Sequence, residues 1–445
     1  MTTAPPRNSP WGTGKKVPPL GLSYLAATLE KEGFDVEILD NYLLEKPIDY
    51  IKQRVSDINP KMVGITCSSV TYQQSIETAK AIKEIHPSCK VVMGGPHPSC
   101  MPESMLTHPE IDYVVLGEGE QALVELSKSI LKENTKNVKN VPNLAYRENG
   151  KIVKTPLRFI DNLDQVPYAA RHLLPIHLYD RTIEFLEVTP VDTMNIIRGC
   201  PYECIWCNVN QIFGKKARSF SPQRVIGEVN YLVSEYGTKG IYFVGDLFTL
   251  YKDKTEKICE LIKKYKLDIE WVCDTRVDLV SRELLRTMRD AGCKTIWFGV
   301  ESGSPKILKK IKRGFNFQQV EKAFRLCKQE RINTACSFML GIPGETLRDM
   351  EATLKFAKKL NPDWCQFNII IAYPGCTLYE EIIRENLYDR IEDFMAYIKT
   401  EHFDYKMLLK VQKRFHRSFN RTPKRMFKRA FEKLNVKFVS TLLQL

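Results

Sequence analysis

Arg198-Gly199-Cys200-Pro201-Tyr202-Glu203-Cys204-Ile205-Trp206-Cys207 puts three cysteines on one short loop, at the spacing Cys-x3-Cys-x2-Cys. Thiolate is the soft ligand that iron–sulfur clusters select. Three thiolates on one loop can reach three corners of a cubane and leave its fourth iron open to an external ligand. Structural zinc sites take four ligands, usually as two separated pairs. No second pair is present, because Cys259, Cys273 and Cys293 stand alone. The bland alternative is three buried core cysteines that share this spacing by chance. Arg-Gly before the first cysteine, Pro after it and Trp206 before the third argue against chance.

The loop follows an apolar run, Met194–Arg198, and a long alternation continues after it. Further candidate strands are Ile241–Gly245, Trp271–Asp274, Thr295–Val300, Ala335–Leu340 and Gln366–Ile371. Helical patterns such as Arg282–Asp290 and Gln318–Gln329 separate them. Continuous apolar strands that alternate with helices predict a parallel sheet covered on its faces. Six such units in about 200 residues predict a partial (β/α)6 barrel with its chemistry at the strand ends.

The first third has the same rhythm. Met62–Thr66, Lys90–Gly95 and Tyr113–Gly117 read as strands, and Val36–Leu39 as a further one. Leu22–Lys31, Tyr72–Ile85 and Gln121–Leu131 read as helices. An α/β, doubly wound, Rossmann-like domain is therefore expected over residues 1–135, with its ligand at the carboxyl ends of the strands. Only Met1–Ala4 is available for a first strand ahead of Pro5-Pro6. Residues 136–190 read as a connector, with a hairpin over Asn143–Val153 that turns at Asn149-Gly150. The barrel takes residues 191–395 and a helical tail takes 396–445.

With these motifs in place, the cysteine loop resembles the signature of the radical S-adenosylmethionine superfamily. The resemblance implies that Cys200, Cys204 and Cys207 hold a 4Fe–4S cluster whose open iron binds S-adenosylmethionine. In that family one electron splits the sulfonium, and the resulting adenosyl radical removes hydrogen from an unactivated carbon. Later segments resemble the family in the same order. Tyr242 to Thr249 implies a role for Asp246 near the cofactor, although Gly245 stands where an Asp is usual. Cys273 to Asp278 implies one for Arg276, and Trp297 to Ser304 implies Glu301 and Ser302 near the methionine or ribose. Trp206 is placed near the cofactor as well. Gly341 to Thr346 and Tyr373-Pro374-Gly375 match the last two strand-end loops. Taken singly, Asp274, Arg276 and Glu301 could be salt-bridged rim residues and the Gly-Pro loops plain turns.

Pro18 to Ala27, Gly94-Gly95-Pro96-His97 and Leu116 to Glu120 resemble the cobalamin-binding domain that precedes many such barrels. The cofactor contacts implied are Ser68, Ser69, Thr71, Gly94, Gly95, Gly117, Glu118 and Gly119. Small residues at strand ends would let backbone approach a large flat ligand, although such glycines also serve other ligands. No Asp-x-His-x-x-Gly motif is present, so cobalamin without a protein His beneath the cobalt is expected, with His97 as a loop residue. The architecture implied is this domain, the radical barrel and a helical tail. The activity implied is a C-methyltransferase, in which methylcobalamin gives the methyl and a second S-adenosylmethionine restores it. The alternatives are a radical oxidative cyclase or lipid-modifying bond-forming enzyme, and an Fe–S or cobalamin sensor without turnover.

Composition sets the remaining bounds. The 445 residues are 43% hydrophobic and 27% charged, with 13 cysteines. No apolar run approaches the ~18 residues of a membrane span, and Met1–Pro10 lacks the apolar segment of a signal peptide. A cytoplasmic protein without a disulfide framework is expected. Residues 400–445 hold 12 Lys or Arg against 3 Asp or Glu, most of the chain's +13. Leu408, Val411, Phe415 and Phe419 share a helix face there, and Phe427, Ala430, Phe431 and Leu434 share another after Thr422-Pro423. Two helices that cover the barrel, with peripheral membrane contact through the basic side, rank ahead of nucleic acid, which lacks a stacking platform here. Small-molecule or lipid substrate and an electron donor of the flavodoxin or ferredoxin kind complete the expected partners.

Overall fold

The apolar runs pair as parallel strands. In the computed structural model, which describes residues 16–131, 135–245 and 247–421, Met62–Thr66, Lys90–Gly94 and Tyr113–Val115 lie side by side in that order. The helices Tyr72–Ile85 and Glu120–Leu131 follow the first and third of them. Thr66 pairs with Gly94, so the carboxyl ends of the strands meet at one edge. The expected first strand at Met1–Ala4, Asp246, and the tail from Thr422 onward lie outside the described residues.

Two expectations for this region change. Val36–Leu39 forms no strand; only an isolated bridge occurs, at Asp40. The Asp40 carboxylate accepts from the N–H groups of Tyr42 and Leu43, which starts the short helix Asn41–Leu44 and ends any extended run. The hairpin does form, through Asn149 and Gly150 at φ 49° and 72°, the two-residue turn that matches strand twist. However, Leu144–Glu148 pairs antiparallel with Tyr113–Val115, so the hairpin completes a five-stranded sheet.

The second sheet has six parallel strands in unbroken chain order: Val191–Asn195, Gly240–Val244, Glu270–Thr275, Cys293–Glu301, Asn333–Leu340 and Trp364–Ile369. Parallel neighbours in chain order with helical crossovers give a curved, partial barrel. Ile197–Arg198 leaves the first strand and pairs antiparallel with Arg218–Ser219. That small ribbon brackets the cysteine loop. An antiparallel sheet of Ile371–Ala372, Met395–Ile398 and Tyr388–Glu392 follows the barrel.

The helix Tyr405–Asn420 packs on the last barrel strand and on the helix Leu347–Leu360. Leu408, Val411, Phe415 and Phe419 are its buried face. Lys410, Lys413, Arg414 and Arg417 are exposed, and Arg414 pairs with Glu351. The apolar face is committed to the barrel, so this helix cannot also bury it in a bilayer. No helix among the described residues is long and apolar enough to cross a membrane. Phe415 packs edge-on against Phe367, and Phe415→Ala should cost about 3 kcal/mol of stability. A denaturation midpoint unchanged by this substitution would show that the helix does not belong to the core.

Candidate active site

The cysteine loop is shaped by its own backbone. Gly199 sits at φ 81°, and a Cβ there would collide with the carbonyl oxygen of Lys216. Cys200 N–H donates to Gly214 O at 3.2 Å, and Cys207 N–H to Cys204 O at 3.1 Å. Asn210 Nδ2 donates to Tyr202 O at 2.8 Å. The three thiols are unbridged and partly exposed at the barrel mouth. Among the described residues no three ligands close around a single metal ion. A cubane binds each cysteine through a different iron, which three thiols on one open loop suit.

Side chains from later strands surround this loop. Arg276 is buried; its Nε and Nη2 each reach Asp278 at 2.9 Å, and its guanidinium lies 3.6 Å from the centre of the Tyr202 ring. Its Nη1 has no hydrogen-bond partner, leaving one donor for a ligand. Glu301 ends its strand at φ 71°, after a register shift, with its carboxylate 3.7 Å from Arg313. Ser302 is fully buried, and its hydroxyl is engaged with Thr353 Oγ1 at 3.3 Å and Ser304 N–H at 3.1 Å. It shapes the turn and is not presented to the mouth. Trp206 lies under the Arg313 guanidinium at 5.6 Å. Arg313, which sequence reasoning missed, also donates to Cys204 Sγ at 3.5 Å. No motif announces it, because the contact joins residues 109 apart.

The strand ends of the first sheet face this mouth. Ser68, Ser69, Val70, Pro96 and His97 line a cavity of about 250 Å³ together with Asn208, Tyr373 and Pro374. Asn208, also missed from sequence, directly follows Cys207. The walls are mostly apolar and open, which suits one face of a flat macrocycle; this volume holds only part of a corrin. Ser69 and Thr71 are already hydrogen-bonded, to His97 and to Ser68 respectively. Most of the implied glycines serve the protein's own packing. Gly117, at φ 62°, would place a Cβ against Ile212 O; Gly95 would meet Cys67 O, and Gly119 would meet Leu25. Gly94 alone keeps ordinary clearance. Glu118 is consumed by ion pairs to Arg198 and Arg218 across the domain boundary.

His97 is no candidate for cobalt. It is buried, with Nδ1 at 2.9 Å from Ser69 Oγ and Nε2 at 3.0 Å from Ser104 Oγ. Burial pulls its pKa down to about 4. Below its ordinary value of about 6.5 the unfolded chain takes up a proton that the native state refuses. This group therefore stabilises the fold above about pH 6.5 and loses that contribution as pH falls towards 4. His97→Asn should flatten the stability–pH curve across that window in urea denaturation. An unchanged slope would mean that His97 is not held neutral.

Comparison with known proteins agrees with this layout. The family model "Radical SAM superfamily" matches residues 194–357, and "B12 binding domain" matches residues 13–127. The "uncharacterized methyltransferase PH0819" of Pyrococcus horikoshii is 37% identical over 94% of this chain and 91% of its own. The anaerobic magnesium-protoporphyrin IX monomethyl ester cyclase of Rubrivivax gelatinosus is 28% identical over 85% of this chain and 67% of its own. The methyltransferase TsrM from Kitasatospora setae, solved with cobalamin and a [4Fe-4S] cluster, superimposes with a TM-score of 0.69 at 20% identity. That match covers 84% of this chain and 73% of TsrM. The chain belongs to the radical S-adenosylmethionine enzymes that carry a B12-binding domain ahead of the barrel.

Proposed function

We propose that this enzyme is a cobalamin-dependent radical C-methyltransferase acting on an unactivated carbon. The observation that carries the reading is the shared cavity. Its walls come from the strand ends of the B12-binding domain and from Asn208, the residue after the third cysteine. A substrate held there meets both halves of the chemistry. When bound, the cluster with S-adenosylmethionine supplies a hydrogen-abstracting carbon radical, and cobalamin supplies a methyl carrier. The chain's own residues do the positioning. Cys200, Cys204 and Cys207 hold the cluster, and Arg313 donates to one thiolate. The free Nη1 of Arg276 is a donor for a carboxylate, Glu301 and Trp206 complete the cofactor's surroundings, and the sequence resemblance gives Asp246 a role beside them. Gly94 is the strand-end position left open towards a corrin, beside the partly exposed Ser68, whose hydroxyl is shared with Thr71.

The 37%-identical relative bears a methyltransferase name, which favours methyl transfer. The cyclase relative keeps oxidative ring closure as the rival. The substrate is a small molecule or lipid, and the electron donor a flavodoxin or ferredoxin. Any lipid contact through Lys410, Lys413 and Arg417 would be electrostatic, and so weakened by salt. Cells fed methionine with a deuterated methyl group, with and without the protein, provide the test. Mass spectrometry of lipid and small-molecule extracts should reveal a compound bearing the intact deuterated methyl. An unlabelled, ring-closed product would move the reading to the cyclase. Absence of 5′-deoxyadenosine from reduced, reconstituted protein would remove the radical chemistry altogether.

A further inference from the structure

The chain enters the barrel past a second, larger cavity of about 880 Å³. Arg171, Arg181, Leu174, Ile176, Tyr231 and Tyr236 are among its walls. Asp192 is the second residue of the strand Val191–Asn195, and Thr238 stands just before the strand Gly240–Val244. Their side chains meet the Arg181 guanidinium, so the cavity lies at the amino-terminal end of the barrel. The cysteine loop follows the opposite, carboxyl end.

Buried charge at this place does not balance. Arg171 is 1% exposed. Its Nη2 donates to Thr193 O at 2.5 Å, whereas its Nε and Nη1 have no hydrogen-bond partner. Arg181 Nη2 reaches Asp192 Oδ2, Tyr236 O and Thr238 Oγ1, whereas its Nε has none. Asp192 is the carboxylate buried between the two. Its Oδ1 is 3.7 Å from Arg171 Nη1, too far for a hydrogen bond. Two guanidiniums therefore share one buried carboxylate; three donor nitrogens, Arg171 Nε and Nη1 and Arg181 Nε, have no hydrogen-bond partner, and on the acceptor side only Asp192 Oδ1 is left over. Glu235 lies on the same wall but is exposed, so water screens its charge, and His172 pairs with Glu30. His177, on the same wall, is exposed and adds no negative charge.

A buried N–H without a partner loses its bond to water and gains none in return. Guanidinium is best met by an oxyanion that takes two N–H groups at once. The volume falls within the range of small-ligand sites, and the tyrosines with Leu174 and Ile176 offer an apolar wall. We infer that this cavity binds a small organic molecule through a carboxylate or phosphate group held by Arg171 and Arg181, at a site separate from the radical chemistry.

The test uses the intact, cofactor-loaded protein. Calorimetric titration with inorganic phosphate and with acetate, each at matched ionic strength, should give saturable binding to one site for at least one of them. The tighter probe tells phosphate from carboxylate. Its binding should slow amide exchange in residues 170–182 and 231–238. Arg181→Gln should weaken it by about tenfold, as expected for a lost charge-assisted partner. Asp192→Asn removes the competing carboxylate and should tighten it. No saturable binding of either probe, or binding without slowed exchange in those segments, overturns the inference. Unchanged affinity in both variants does so too. The exchange measurement needs no variant, so it decides the matter even where a substituted chain fails to fold.

Discussion

Protein carrying Cys200→Ala, Cys204→Ala and Cys207→Ala together should bind no iron after anaerobic reconstitution and should stay colourless. The intact chain should turn brown, with broad thiolate-to-iron charge-transfer absorption. The reason lies in the loop. Its three thiols are partly exposed and share one short segment, whereas Cys259, Cys273, Cys293, Cys327 and Cys336 are buried. Burial pushes the thiols of Cys259, Cys273 and Cys327 well above their ordinary range, which disfavours the thiolate that iron needs. None of them can replace a missing ligand without opening the core. Each single alanine variant should also lose most of the iron, since two thiolates do not hold a cubane's three corners. Production of 5′-deoxyadenosine should fall below detection in the triple variant. Full iron content in that variant would mean that the ligands lie elsewhere.

The sequence was most readable where a local pattern carries the structure. Barrel strands such as Thr295–Val300 and Ala335–Leu340 are mostly apolar because both faces are covered. The observed strands Cys293–Glu301 and Asn333–Leu340 extend them by a few residues at most. The Asn149-Gly150 turn was legible for the same reason, since positive φ at both positions leaves few residue choices. Which sheet the hairpin joins was not legible, because pairing with Tyr113–Val115 is a register formed across about 30 residues of chain. The sheet over residues 371–398 escaped notice because the strand Tyr388–Glu392 is mostly charged and exposed, an edge without an apolar signal. The strand-end glycines show the other limit. Gly95 and Gly117 read correctly as places of close approach, but the approaching atoms are Cys67 O and Ile212 O. Composition reveals that room is needed, not what fills it. Arg313 and Asn208 were illegible for a related reason: proximity to a functional loop depends on the fold and leaves no trace in spacing.

Glu118 carries the second large prediction. It leaves the end of the third strand of the first sheet and enters a nest of two arginines from the barrel. Arg218 Nη1 lies 2.8 and 3.0 Å from its two oxygens, and Arg198 Nη1 lies 3.3 Å away. Ile160 N–H adds a bond at 2.7 Å, and Glu120 takes the other end of Arg198 at 2.6 Å. Side chains of all four charged residues are at most 9% exposed. A buried pair gains little over an apolar replacement, but removing one partner strands the other's charge, at about 3–5 kcal/mol. Glu118→Ala takes away the only carboxylate of Arg218, which keeps just the carbonyls of Ile160 and Phe213, and one of the two carboxylates of Arg198, so a loss near that range is expected in chemical denaturation. Arg198 is two residues before Cys200, and Arg218 holds the other strand of the ribbon that brackets the cysteine loop. The variant should therefore also retain less cluster at equal protein concentration. Glu118→Leu combined with Arg218→Met removes both charges of the closest pair and should recover much of the stability, since the one guanidinium left, Arg198, still has Glu120. A loss under about 1 kcal/mol for Glu118→Ala, the size of an exposed ion pair, would show that water reaches this boundary and that the two domains are not joined through it.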